Sequence, residues 1–322
     1  MKTISLCTTC YKQIPAIIDV QSEGVFITKR CPTHGMTKAM IERDPVYYMQ
    51  CKTAGATNIY NGYFLDVTER CNLKCKYCYY GVNTEQDPSI ESLKAEAMIN
   101  AHLAPIIISG GEPSLRKDLP EVISELKKIA PVELLTNGTG IDLDEIIPLL
   151  ANDNGTVNIN LSIHTESQGK DLDLLESISE RGLKLESVLV VIDSIDQIDN
   201  ILAFGARHVK NIESIRIKAA TRLWAETKPE NKIFVSDMLN HIKKYNPNTL
   251  WWRNNKTSFF NIELDGMVYM LVSWYDIENV DILDIACPPF YRAKNGQIEN
   301  IVTSCLINEG MAKGWLNGGS GW

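Results

Sequence analysis

No stretch of the 322 residues approaches the roughly 18 consecutive apolar positions of a membrane-crossing helix. The opening residues, MKTISLCTTCYKQ, lack the apolar centre of a secretory signal. Positive charge is also short. With 32 Lys and Arg against 40 Asp and Glu, the net charge is −8. That excludes nonspecific attraction to nucleic-acid backbone or to an anionic membrane, though a local basic pocket remains compatible with it. Internal repeats and low-complexity segments are absent. Together these absences describe a cytoplasmic protein, and in that compartment structural disulfides are rare.

Against that background nine cysteines need another explanation. They must be metal ligands, reactive thiols or packing residues. Their spacing is uneven: Cys7, Cys10, Cys31 and Cys51, then Cys71, Cys75 and Cys78, then Cys287 and Cys305. With 44% apolar residues the chain can bury a large core, and its length suits one large domain or two smaller ones.

Three segments are expected. Residues 1–56 form a small module too short for a large core, which a metal would staple. Its CX2C at Cys7 and Cys10 and its CX2H at Cys31 and His34 are two knuckles, each pointing two ligands inward. This spacing suits a zinc ribbon or a rubredoxin-like iron or zinc site, with Cys51 an alternative to His34. Residues 57–250 alternate strand and helix. Strands are expected at 63–67, 105–109, 132–136, 157–163, 186–192 and 214–219. Amphipathic helices are expected at 89–103, 119–130, 142–153, 172–183, 195–207 and 231–245. Six such units predict an α/β fold, a partial (β/α)6 barrel. Residues 251–322 form an α+β extension with a hairpin turning at Asp265-Gly266.

The most informative stretch is CNLKCKYC, which places Cys71, Cys75 and Cys78 just after the first barrel strand. A closed structural zinc site wants four ligands. Three thiolates can hold three irons of a cubane and leave the fourth iron open. A zinc or iron–sulfur module with a distant fourth ligand is the alternative. The carboxyl end of a barrel strand is where barrel enzymes place their chemistry.

CX3CX2C after the first strand of a βα barrel resembles the radical S-adenosylmethionine (SAM) superfamily. The resemblance implies a [4Fe-4S] cluster on Cys71, Cys75 and Cys78, with SAM chelated at the open iron. It implies reductive cleavage of SAM to a 5′-deoxyadenosyl radical that takes a hydrogen atom from substrate. Flavodoxin or ferredoxin would supply the electron, and the cluster would be oxygen-sensitive. Ser109, Gly110, Gly111, Glu112 and Pro113 (SGGEP) correspond to the segment that receives the SAM ammonium. Two glycines there would let the backbone approach the ligand. Thr136 and Asn137 would line the SAM pocket, Ser162 would bond its ribose or carboxylate, and Tyr77 would pack on adenine. His164 stands where relatives often carry an acidic residue, and the 188–193 strand would flank adenine through its backbone. Arg216, Lys218 and Arg222 reach the same rim, as solvated charges or as anion contacts.

The order CX2C, CPTHG, CX3CX2C and GGEPSLR resembles the branch holding tetraether lipid synthase and, more distantly, the molybdenum cofactor cyclase. It covers about residues 1–220, and the lipid chemistry does not carry over because that enzyme is longer and richer in cysteine. Cys287 and Cys305, with Cys51, are candidates for an auxiliary iron–sulfur site or for plain thiols. Trp251, Trp252, Trp274 and Tyr275 could wall the pocket or pack a core, and Arg222 and Arg253 are candidate anchors. The reaction classes left open are C–H activation of a small molecule, with rearrangement, cyclisation or C–C bond formation, and modification of a peptide or other macromolecule. A scaffold or sensor without catalysis is the third class.

Overall fold

The computed structural model describes residues 1–10, 12–54, 63–75, 78, 86–101, 105–163, 170–220, 232–251, 257–273, 278–279, 281, 291–294 and 297–300. The first four strands, β1 (Lys2–Leu6), β2 (Gln13–Gln21), β3 (Gly24–Cys31) and β4 (Gly35–Glu42), form an antiparallel sheet in sequence order. Alternation explains its faces. Ile14, Ala16 and Ile18 of β2 turn inward, while Ile17 between them is 51% exposed. Helix α1 (Pro45–Thr53) follows, capped by Asp44, whose carboxylate accepts from the N–H groups of Val46 and Tyr47.

The second sheet begins with six βα repeats. Its first strands and helices are β5 (Tyr63–Thr68), α2 (Ile90–Asn100), β6 (Ile106–Gly110), α3 (Leu119–Lys127), β7 (Val132–Thr136) and α4 (Leu143–Leu150). They continue as β8 (Thr156–Ile163), α5 (Lys170–Glu180), β9 (Lys184–Ile192), α6 (Gln197–His208), β10 (Ile212–Ala219) and α7 (Val235–Ile242). Strands β5 to β10 lie side by side and parallel. Caps mark the helix starts: Ser89 accepts from Ser92 N–H before α2, and Asp142 accepts from Asp144 and Glu145 N–H before α4.

Among the described residues the sheet does not close on itself. The chain continues through β11 (Asn248–Thr249), β12 (Phe259–Leu264), β13 (Met267–Val272), β14 (Tyr291–Lys294) and β15 (Gln297–Asn300). Strand β13 joins β10 in parallel, and β14 joins β5 in parallel, so each edge of the six-stranded unit is covered. The hairpin β12–β13 turns at Asp265 (φ 52°) and Gly266 (φ 84°), the two left-handed residues of a type I′ turn. The region after 250 therefore extends the barrel sheet. Among the described residues no helix is long and apolar enough to cross a membrane.

One face of the large sheet meets the helices through Leu65, Ile106, Ile108, Leu134, Ile159, Leu161, Val188, Ile215 and Ile217. The other face carries buried polar groups instead, among them Ser109, Glu133, Asn160, Ser187 and Lys218. Tyr47 and Cys51 of α1 belong to the large core, and the Tyr47 ring meets Phe260 edge-on at 5.6 Å. Polar contacts fasten the small sheet to the same region. Arg43 Nε donates to Asp237 at 2.9 Å, Asn279 Nδ2 donates to the Met40 carbonyl at 3.1 Å, and Thr3 donates to Asp281.

Glu42 is the buried charge of that junction, 1% exposed. Its Oε1 accepts from Arg43 N–H, Asp44 N–H and the Ser236 hydroxyl. Burial pushes its pKa up to about 7, and Asp237 pushes the same way. A carboxyl raised above its unfolded value favours folding at low pH and loses that contribution as pH rises through the folded pKa. Wild type should therefore lose about 2–3 kcal/mol relative to Glu42→Gln between pH 5 and pH 8. Glutamine keeps the accepting oxygen. Chemical denaturation at both pH values reads the difference, and parallel pH profiles would mean that Glu42 stays ionised when folded.

Candidate functional site

Two sets of cysteines stand on different sheets, and among the described residues only the first brings its ligand atoms within metal-binding reach of one another. In the first, the β1–β2 and β3–β4 connections bring Cys7, Cys10, Cys31 and His34 together, with all four ligand atoms within 4.8 Å of one another. Cys7 Sγ and Cys31 Sγ each lie 3.5 Å from His34 Nδ1, and Cys10 Sγ lies 4.0 Å from Cys31 Sγ. Around tetrahedral zinc, bonds of about 2.0–2.3 Å put ligand atoms roughly 3.5–3.8 Å apart. The donor set and the geometry fit that ion. Cys51, the alternative fourth ligand, sits in the barrel core instead. Burial disfavours the Cys7 thiolate. Hydrogen bonds from the backbone of Cys10 and Thr9 and from the neighbouring thiols outweigh it and bring the pKa down to about 6. Lys29, fully buried, donates to the Leu6 carbonyl at 3.0 Å, one residue before Cys7.

The second site starts where β5 ends. Cys71 and Cys75 are partly exposed and Cys78 is exposed, and Cys78 N–H closes a turn on the Cys75 carbonyl at 3.0 Å. The segment before Cys71 is laced to the end of β6. Gly111 N–H donates to the Thr68 carbonyl at 2.9 Å, and Glu112 N–H donates to the Arg70 carbonyl at 2.8 Å. A Cβ on Gly110 would lie 2.1 Å from the Thr68 oxygen, and one on Gly111 would lie 2.2 Å from the Arg70 oxygen. The two glycines thus admit the protein's own backbone, where a ligand was expected.

Glu112 also departs from expectation. It is 1% exposed, and its carboxylate is turned inward. Oε1 accepts from Thr136 Oγ1 at 2.7 Å and Ser114 N–H at 3.0 Å, while Oε2 accepts from Asn137 N–H at 2.7 Å. It splints β6 to β7. Thr136 and Asn137, expected to line a pocket, are themselves buried in this splint. Burial pushes the Cys71 thiol up, and the charge of Glu112 adds to it. A bound iron would supply the positive charge that favours the thiolate.

Asn72 was not singled out in the sequence, yet it ties the loop to β7. Its Oδ1 accepts from Asn137 Nδ2 at 3.0 Å, and its Nδ2 donates to Thr139 Oγ1 at 2.6 Å. Beneath the loop, Arg70 pairs with Asp87, and buried Arg116 donates to the Val67 and Pro88 carbonyls at 2.8 Å each. A cleft of about 750 Å³ opens there, and its lining charges, Arg70 with Asp87 and Arg116 with Asp118, are matched among themselves.

Ser162 is half-buried near the end of β8, Ser109 is buried in β6, and Pro113 starts a short 3-10 turn. Arg216 is half-buried and Lys218 buried on β10. Trp251 meets Phe260 edge-on at 4.6 Å, a packing contact. Tyr77, His164, Arg222, Trp252, Arg253, Trp274, Tyr275, Cys287 and Cys305 lie outside the described residues.

The Radical SAM superfamily profile matches residues 65–202, and the HMPTM N-terminal zinc ribbon domain profile matches residues 1–43. The chain carries a radical SAM domain with a zinc ribbon ahead of it. The radical SAM domain begins inside β5 and carries the three-cysteine loop, and the zinc ribbon contains the Cys7–His34 cluster. Its relatives are named as enzymes. A 7,8-dihydro-6-hydroxymethylpterin dimethyltransferase of Methanocaldococcus jannaschii is 31% identical over 173 residues, which is 42% of this chain and 34% of the relative. A probable GTP 3′,8-cyclase of Methanococcus maripaludis is 40% identical over 108 residues, covering 31% of this chain and 35% of the relative. Each match thus spans about a third of the relative's length. Among solved structures, Streptococcus suis SuiB bound to precursor peptide SuiA aligns with TM-score 0.47 at 12% identity, over 76% of this chain and 69% of that one. The structure of methylornithine synthase (PylB) aligns with TM-score 0.40 at 14% identity, over 57% of this chain and 58% of that one. Both are loose likenesses.

Proposed function

We propose that this radical SAM chain is an enzyme that activates a C–H bond of a small molecule. Cys71, Cys75 and Cys78 would ligate a [4Fe-4S] cluster, and Cys7, Cys10, Cys31 and His34 a zinc ion. When bound, the cluster would supply the electron that cleaves SAM reductively to a 5′-deoxyadenosyl radical. The observation that carries this reading is the lacing of the three-cysteine loop to the ends of β6 and β7. It holds the start of the three-cysteine loop beside the SGGEP and TNG segments. The backbone of Ser109 to Pro113 would receive the SAM ammonium, with Glu112 keeping that backbone in place. Tyr77 would pack on adenine, and Ser162 and His164 would contact the far end of SAM. A flavodoxin- or ferredoxin-type protein would deliver the electron.

For the substrate, the two named relatives favour a nitrogen heterocycle. A hydroxymethylpterin and GTP share a fused 2-amino-4-oxopyrimidine ring, and C–C or C–N bond formation on such a ring is the reaction class favoured here. The test is anaerobic reconstitution followed by strong reduction with SAM. Formation of 5′-deoxyadenosine is expected. A protein that holds its iron and leaves SAM intact would instead be a scaffold or sensor.

A further inference from the structure

A closed ring of hydrogen bonds joins the cysteine loop to the turn after β7. Its members are Asn72, Asn137 and Thr139. Asn72 Nδ2 donates to Thr139 Oγ1 at 2.6 Å, Thr139 Oγ1 donates to Asn137 Oδ1 at 2.6 Å, and Asn137 Nδ2 donates to Asn72 Oδ1 at 3.0 Å. One backbone bond fixes the direction of all three. Thr139 N–H donates to the same Asn137 atom at 2.9 Å, and a backbone N–H can only donate, so that atom is oxygen. The other end of the Asn137 amide is then a donor, and the Asn72 atom facing it must accept. That leaves Asn72 Nδ2 to donate to the Thr139 hydroxyl. Neither amide can be turned over without setting a donor against a donor.

Two members are set in the sheet ends. Asn137 and Thr139 are buried. Asn137 N–H donates to Glu112 Oε2 at 2.7 Å, and the Thr139 carbonyl accepts from Ser114 Oγ at 2.8 Å. The third member is exposed and comes from the loop, where Asn72 stands between Cys71 and Cys75. The backbone around Asn72 bears on the Cys71 sulfur. Leu73 N–H donates to Cys71 Sγ at 3.5 Å, and the Asn72 N–H favours the same thiolate. The Asn72 side chain thus holds the piece of backbone that carries both N–H groups. Hydrogen bonds to the sulfurs of an iron–sulfur cluster are one of the levers on its reduction potential. They stabilise the more negative, reduced state and so raise that potential.

We infer that Asn72 is a positioning residue, which through this ring fixes the N–H groups of residues 72 and 73 against the Cys71 sulfur and so sets both the retention and the potential of an iron–sulfur cluster on the loop. The CX3CX2C spacing places the cysteines along the chain and says nothing of how the loop is aimed. The ring acts as a unit. Opening any link leaves a polar group of buried Thr139 or Asn137 without its partner, which the remaining links cannot repair. The assignment rests on the radical SAM reading and deepens it.

The test uses the full chain, anaerobically reconstituted, without SAM. Iron release to a chelator is timed, and the midpoint potential is read by a redox titration followed by electron paramagnetic resonance. Asn72→Ala should release iron at least fivefold faster than wild type and should be harder to reduce. Thr139→Val, which removes the hydroxyl at nearly constant shape, should do the same. The double variant should be no worse than the worse single one, because the ring is already open. Asn72→Asp keeps the oxygen that accepts from Asn137, and the Thr139 hydroxyl can turn to donate to the second oxygen. Its iron release should return to within twofold of wild type. Zinc content and far-UV circular dichroism check that the variants are folded, and if Thr139→Val is not, the two Asn72 variants decide alone. Release less than fivefold faster in Asn72→Ala, faster release at an unchanged potential, no recovery in Asn72→Asp, or effects that multiply in the double variant overturn the positioning role. Iron content and 5′-deoxyadenosine formation by wild type, measured separately, decide whether that role or the whole radical reading has failed.

Discussion

Changing Cys71, Cys75 and Cys78 together to alanine should remove about four irons per chain and leave one zinc in place. 5′-Deoxyadenosine formation should fall to background in the same preparation. The separation is expected because the two sites share no ligand. The zinc cluster lies between strands of the small antiparallel sheet, and the three-cysteine loop rises from β5 of the large one. The loop's fastenings to the ends of β6 and β7 run through Asn72, Gly111 and Glu112. The apo variant should therefore keep its fold and its zinc. Iron, sulfide and zinc analysis on anaerobically reconstituted protein reads the result directly. An iron–sulfur cluster surviving in the variant would mean an auxiliary site, with Cys287 and Cys305 its first suspects. Loss of zinc along with iron would mean that the two sites are structurally coupled.

The second large effect belongs to Gly111. An alanine Cβ there would lie 2.2 Å from the Arg70 oxygen and 2.6 Å from the Arg70 carbonyl carbon. Neither atom belongs to a flexible side chain, so the backbone itself must move. That movement breaks the Glu112 N–H to Arg70 bond and displaces the chain one residue before Cys71. Gly111→Ala should cost about 3 kcal/mol or more, in the range of overpacking combined with a lost buried hydrogen bond. Its iron content should fall as well. Gly182→Ala is the control. That glycine has φ +71° and nothing within 4 Å, so strain alone applies, about 1–2 kcal/mol. Urea denaturation of both variants separates crowding from strain. A Gly111→Ala protein as stable and as iron-rich as wild type would show that the loop is free to shift.

Local periodicity made the barrel legible. The strand at 132–136 and the hairpin turn at Asp265-Gly266 stand where the sequence pattern put them. These are short-range properties, a period of two or a pair of turn residues. The cysteine spacing likewise marked the Cys7–Cys10–Cys31 cluster, where the structure selects His34 over Cys51. What stayed hidden depends on partners far apart in the chain. The role of Asn72 exists only once Asn137 and Thr139, more than sixty residues later, arrive beside it. The two glycines of SGGEP were read as room for a ligand because composition cannot say what fills the space. The inward turn of Glu112 follows from Thr136 and Asn137, which no local pattern attaches to it.

The fastening of the small sheet to the distant end of the chain bears on the order in which the protein is made. Met40, Arg43 and Thr3 find their partners at Asn279, Asp237 and Asp281, separations of 239, 194 and 278 residues. A ribosome releases the first strands long before those partners exist. The ribbon can take up zinc as soon as His34 emerges, since its four ligands lie within a 28-residue span, from 7 to 34. Its outer face must then wait, solvated, until β13 has been synthesised. Zinc bound at that cluster would thus stabilise a nascent module during translation, with docking of that module onto α7 and the segment after β13 a late event.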